Sequence, residues 1–224
     1  MVIVPNLRPQ VVAAKERLAH EREKLSEHHR SGTPGIQTCA RLTDLVDSVL
    51  LELYQAALVD LGETGEQGLE NFISLVAHGG YGRGDVAPYS DVDFMILHQP
   101  GVEERVQPLA KRMLNDLFDA GLSLSQSVRT PTYACQLAIK DPTIATSLME
   151  SRHLAGSERL FRSFTHSFQR RIHRKRQRIL AAIDQARDEE RLEYGETVYL
   201  LEPNLKRSPG GLRDIHDLRW TGFA

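Results

Sequence analysis

The stretch HGGYGRGDVAPYSDVDFMIL, residues 78–97, sets four of the chain's 16 glycines ahead of two aspartates that alternate into an apolar run. No other part of the chain limits the fold as much. FISLVA (72–77) leads into the glycine turn, and DVDFMIL (91–97) leads out of the loop that follows it. Both runs are too short for helices and are bounded by turn residues, so they predict two strands joined by a glycine-rich connection. Along a strand, positions i and i+2 share a face about 6.5–7 Å apart. Asp91 and Asp93 therefore project to one side, ahead of the apolar residues Phe94 to Leu97. Strands disfavour aspartate, which makes a purely solvated pair the weaker explanation.

The chemistry of such a pairing is specific. Backbone amides freed in GGYGRG form a concave set of donors suited to phosphate oxygens. Two carboxylates on one face offer the hard oxygen ligands that Mg²⁺ prefers. Two metals about 3.5–4 Å apart lower the pKa of an attacking hydroxyl and stabilise a pyrophosphate leaving group. The glycines alone carry little, because hairpins use them too. The turn is neither a Walker loop nor the dinucleotide fingerprint, since no lysine follows its last glycine.

Around this centre the chain reads as helices. Residues 7–31 carry Val11, Val12, Leu18 and Leu25 among charges, and SGTPG (31–35) ends that helix. A more apolar helix follows, with Thr43 or Asp44 near its start, and GETGEQG (62–68) is a loop. Residues 102–121 read as a helix despite Pro108, and LSLSQSVRT (122–130) as a third strand. TYACQLAIKD and TIATSLMESRHLAG read as two short helices, followed by one long helix over 158–193 and a Pro/Gly-rich closing segment with a last helix. The six basic residues between Arg170 and Arg178 are expected to form a solvated helix face rather than a binding patch.

Composition narrows the class without naming a function. Lys and Arg number 28 against 30 Asp and Glu, so overall charge does not favour nucleic acid or membrane surface. Cys39 and Cys135 are the only cysteines and form no CxxC, which argues against a zinc ribbon or a disulfide framework. No run approaches the roughly eighteen apolar residues of a membrane span, and the expected location is the cytoplasm.

The pattern GG-x-G-R-G-D, a short spacer, then S-D-V-D-F resembles the polymerase-beta-like nucleotidyltransferase signature in the form used by protein-PII uridylyltransferases. SVRT (127–130), TIATSLMESRHLAG (143–156) and LEPNLKRSPGGLRDIHDLRW (201–220) are similar to further segments of that family, in the same order. The resemblance implies an α/β (α+β) fold: a small mixed sheet with helices, followed by a helical segment. It divides the chain into an N-terminal helical region (1–68), a nucleotidyltransferase core (69–156) and a helical C-terminal segment (157–224). It assigns Gly79, Gly80, Arg83 and Ser90 to the nucleotide, and Asp91 and Asp93 to catalysis and to Mg²⁺ or Mn²⁺. It implies transfer of UMP from UTP to a tyrosine of the PII signalling protein in nitrogen regulation, with neither nucleic acid nor membrane as partner.

The resemblance also marks a departure. Family members carry a glutamate where this chain has Ser123 and a histidine where it has Gln126, in the strand expected to supply a third carboxylate. Asp119 is the substitute nearest in sequence, and Arg129 is a further candidate near the nucleotide. A serine cannot replace a carboxylate's charge at a divalent cation. The alternative expectations are thus a catalytically weakened nucleotide-binding or interaction module, or a transferase with another acceptor. Relatives add uridylyl-removing and glutamine-sensing domains, which the expectation leaves out of this chain. Lys206, Arg213 and Asp214 are expected to pin the helical tail against the transferase core.

Overall fold

The two short apolar runs form neighbouring strands, and the sheet they begin positions every candidate residue. The structure, a computed structural model, describes residues 7–194, 201–202 and 204–224. The first ten residues are therefore described only from Leu7, and Pro203 of the 201–220 motif lies outside the described residues. The chain folds as two compact units, Met1–Pro131 with Glu150–Arg162, and Thr132–Met149 with Ser163–Ala224.

The first unit contains helices α1 (Pro9–Arg30), α2 (Gly35–Asp60), α3 (Gly79–Arg83) and α4 (Glu103–Asp119). Its strands are β1 (Ile73–Ala77), β2 (Val92–His98), β3 (Leu124–Arg129) and β4 (Arg152–Gly156), in the order β3-β2-β1-β4. β1 is antiparallel to β2 and β4, and β2 is parallel to β3, so the sheet is mixed. Ile73, Leu75 and Ala77 share one face with Val92, Phe94 and Ile96, and they join a single core with α1, α2 and α4. Burying such side chains stabilises by about 1.5–3 kcal/mol each. Val76, Met95 and Leu97 point to the opposite face, the one that Asp91 and Asp93 share by alternation.

Three sequence expectations need correcting. α2 starts at Gly35, not near Thr43; its first two turns bury only Thr38, so they carry no apolar periodicity to read. The second half of TIATSLMESRHLAG is strand β4, which exists by pairing with β1 and breaks register at Leu75/Val76. The long helix is two, α7 (Glu158–Arg174) and α8 (Arg176–Tyr194), interrupted at Lys175. Like charges at i,i+4 spacing, Arg170/Arg174/Arg178 and Arg171/Lys175, disfavour an unbroken helix there.

The second unit contains α5 (Pro131–Lys140), α6 (Pro142–Met149), most of α7, α8, and α9 (Leu212–Phe223). Its centre is Arg187 on α8, whose side chain is 5% exposed. The guanidinium donates to Asp214 at 2.5 Å, to Glu190 at 2.9 Å and to the Arg207 carbonyl at 2.7 Å, and lies 3.3 Å from Asp217. Asp214 thus fastens the S-P-G-G-L-R-D turn to α8. His216–Asp217 belongs to this structural cluster, with His216 buried against Trp220.

Candidate nucleotide and metal site

β1 ends at Ala77, and the chain turns at once. His78 is extended (φ −144°, ψ 177°), and Gly79 has φ +59°, a region that other residues enter at a cost of about 1–2 kcal/mol. α3 then runs for one turn and a half and stops at Gly84, φ +81°. The glycine segment is thus a strand–helix turn, with the unpaired amides that every helix start exposes. Gly82 has a second reason to be glycine. A Cβ there would lie 1.9 Å from the Glu150 carbonyl oxygen and 3.1 Å from that of Ala77.

Arg83 folds back over the turn. Its Nε donates to Asp85 at 2.9 Å, and its Nη2 lies 3.6 Å from where a Cβ on Gly80 would sit. Ser90 closes the following turn, its Oγ accepting from the Ala87 amide at 3.1 Å. Arg152, at the start of β4, forms a two-point ion pair with Asp47 (2.7 and 3.1 Å), donates to the Tyr81 carbonyl at 3.3 Å and lies over the Tyr81 ring. It ties α3 to α2. Asp47 had no signal in the sequence, because a lone aspartate on an amphipathic helix looks like any solvated residue.

The two aspartates stand at the same end of the sheet as the turn. The His78 amide donates to the Asp93 carbonyl at 3.1 Å, and Asp93 sits beside Ser125 in the β2/β3 register. One step further, the Val92 amide donates to the Ser123 carbonyl at 2.9 Å, and Ser123 Oγ donates to Asp91 Oδ1 at 2.5 Å. Asp91 is exposed and Asp93 half-buried. Burial, helped by the charge of Arg129, pushes the His78 imidazole down to about 4, so it is neutral at physiological pH.

The remaining candidates are placed differently. Arg129 pairs with Leu97 further along β3, yet its charge still acts on His78 beside the turn. Gln126 donates to the Ala110 carbonyl at 3.1 Å. Asp119 ends α4, half-buried. Among the described residues no group of three or more His, Cys, Asp and Glu side chains is placed to hold a metal. Two carboxylates with one hydroxyl still form an all-oxygen set that suits a hard divalent cation, with water completing the shell.

A mixed sheet carrying a glycine turn and paired aspartates at one end fits a nucleotidyltransferase of the polymerase-beta-like fold. In agreement, residues 67–154 match the family model of the nucleotidyltransferase domain, and residues 166–223 match that of GlnD PII-uridylyltransferase. The chain is 33% identical over 220 residues to a bifunctional uridylyltransferase/uridylyl-removing enzyme of Burkholderia vietnamiensis, covering 96% of this chain and 24% of that one. It is 35% identical over 210 residues to an enzyme of the same name from Thiobacillus denitrificans (94% and 23%), and 32% over 207 residues to one from Caulobacter vibrioides (92% and 22%). The chain thus carries a nucleotidyltransferase domain and is similar to uridylyltransferases over most of its own length. It spans about a quarter of the length of the curated relatives it matches. Among the described residues no helix is long and apolar enough to cross a membrane.

Proposed function

We propose that this chain transfers UMP from UTP to a tyrosine hydroxyl of a PII signalling protein, in cytoplasmic nitrogen regulation. The phenolic oxygen forms a bond to the α-phosphorus, the bond to the β-phosphate oxygen breaks, pyrophosphate leaves, and the phenol's proton passes to solvent. One juxtaposition carries the reading: the Gly79–Arg83 turn and the Asp91/Asp93 face stand at the same end of the sheet, linked by the His78 amide on the Asp93 carbonyl. In this reading Gly79 and Gly80 bring backbone amides to the triphosphate, Arg83 adds positive charge, and Ser90 shapes the loop before Asp91. Asp91 and Asp93 hold Mg²⁺ or Mn²⁺, which supplies charge neutralisation at the reacting phosphate. The transferase core is assigned to residues 69–156, between a helical region (1–68) and a helical segment (157–224). Nucleic acid has no part in it.

The test is calorimetry of UTP, ATP, CTP and GTP with Mg²⁺, followed by pyrophosphate release in the presence of PII. Metal-dependent preference for UTP and PII-dependent release are expected; binding of UTP without metal would count against the site. A second reading, a weakened nucleotide-binding module, rests on Ser123 standing at Asp91 where a third carboxylate would act. It predicts binding without release.

A further inference from the structure

A groove of about 600 Å³ opens in the first unit between α1, the start of α2 and the loop before Asp91. Its walls include Arg22, Leu25 and Ser26 of α1 and Leu42 of α2, and it ends at Tyr89 and Ser123. We infer that this groove receives an extended segment of the acceptor protein and delivers its hydroxyl-bearing side chain to Asp91. The inference rests on the proposed transferase reading and names where its second substrate docks.

Three observations carry it. The first is continuity, since Ser123, at one end of the groove, donates to Asp91, and Ser90, also in its wall, is the residue before Asp91. The second is sidedness. The glycine turn continues from β1 and Ser123 precedes β3, so the two flank the aspartates of β2 on opposite sides. In-line displacement puts the attacking oxygen opposite the leaving pyrophosphate. With phosphates on the β1 side, the attacking group arrives from the β3 side, and Gly79, Gly80 and Arg83 are absent from the groove walls. The third is chemistry. The Arg22 guanidinium, in the wall of the groove, donates from Nη1 to the Gly121 carbonyl at 3.3 Å, and its positive charge suits the carbonyl oxygens of an extended peptide. Leu25 and Leu42 supply apolar wall, and Tyr89, fully exposed, offers a ring with nothing packed on it. The volume falls within the range that binds several residues' worth of ligand.

The experiment uses the full chain and PII protein without nucleotide, measuring binding by calorimetry for the parent, Ser26→Trp, Ser26→Ala and Tyr89→Ala. Ser26→Trp fills the groove; Tyr89→Ala removes an exposed ring and leaves packing intact. At least tenfold weaker PII binding is expected for Ser26→Trp and a clear loss for Tyr89→Ala, with Ser26→Ala like the parent and the UTP·Mg²⁺ affinity of all four within twofold. Unchanged PII binding in both Ser26→Trp and Tyr89→Ala, or no PII binding by the parent, overturns the groove assignment. Failure of the parent to bind UTP strikes the transferase reading instead, and the PII measurement still decides the groove.

Discussion

Ser123 Oγ donates to Asp91 Oδ1 at 2.5 Å across the parallel pairing of β2 and β3. The hydroxyl satisfies one lone pair of the carboxylate and adds no charge, so this end of the sheet carries two aspartates and a neutral third group. A glutamate at this position would bring like charges together, costing on the order of 1 kcal/mol at 4 Å in water and more where water is excluded. A divalent cation would reverse the sign.

Ser123→Glu is therefore expected to melt below the parent in EDTA and to gain more from added Mn²⁺. Its Mn²⁺ affinity should rise about tenfold, equivalent to ~1.4 kcal/mol. Calorimetric titration and thermal melts with and without metal check both. An unchanged Mn²⁺ affinity would mean that residue 123 does not reach the cation.

Asp93→Asn keeps the shape of the side chain and removes its charge. UTP binding should lose its dependence on Mg²⁺ and weaken at least tenfold, while circular dichroism stays that of the parent. A variant whose UTP affinity still rises with Mg²⁺ as the parent's does would remove Asp93 from the metal site.

The strands near the turn were legible because FISLVA and DVDFMIL carry their burial locally, in unbroken apolar runs. β4 was not. Arg152–Gly156 is only partly buried and becomes a strand through its partner β1, a pairing between residues about eighty positions apart. The start of α2 was missed for a related reason, since a helix turn with one buried threonine leaves no pattern. The proximity of Asp91 and Ser123 was expected from the resemblance, which puts Ser123 where relatives carry a glutamate, and the parallel β2/β3 pairing sets the two side by side. The groove beside them had no sequence signal, because Arg22 and Ser26 look like any exposed helix face.

In the second unit, Asp214 gives a dependence on pH with a definite sign. Burial works against its charge, but the Gly210 amide and the Arg187 guanidinium prevail and hold its carboxyl below the usual range. A carboxyl depressed in the folded state contributes stability above its unfolded pKa, and that contribution is lost as pH falls through the carboxylate range. Asp214→Asn should cost about 1–3 kcal/mol at pH 7, since Arg187 keeps Glu190 and Asp217. The difference from the parent should shrink steadily toward pH 3. Urea unfolding followed by Trp220, the chain's one tryptophan and buried in this unit, measures it. A penalty that does not change with pH would show that the Asp214 carboxylate is not the source.

The glycines of the turn separate structure from binding. At Gly82 an added Cβ would lie 1.9 Å from the Glu150 carbonyl oxygen, a backbone atom that cannot rotate away. Gly82→Ala must displace α3 or the chain at Glu150, and is expected to cost about 2–4 kcal/mol in stability. At Gly80 the nearest atom to an added Cβ is Arg83 Nη2 at 3.6 Å, ordinary contact with the tip of a flexible side chain. Gly80 is helical and its φ is not positive, so alanine there should leave stability unchanged or raise it by roughly 0.5–1 kcal/mol. In the proposed reading, the methyl would nevertheless stand where a phosphate approaches the backbone. Gly80→Ala should therefore melt at or slightly above the parent and bind UTP·Mg²⁺ at least tenfold more weakly, whereas Gly82→Ala should lose stability first. Thermal melts beside UTP titrations distinguish the two, and a Gly80→Ala chain that binds UTP as tightly as the parent would show that the turn does not cradle the triphosphate.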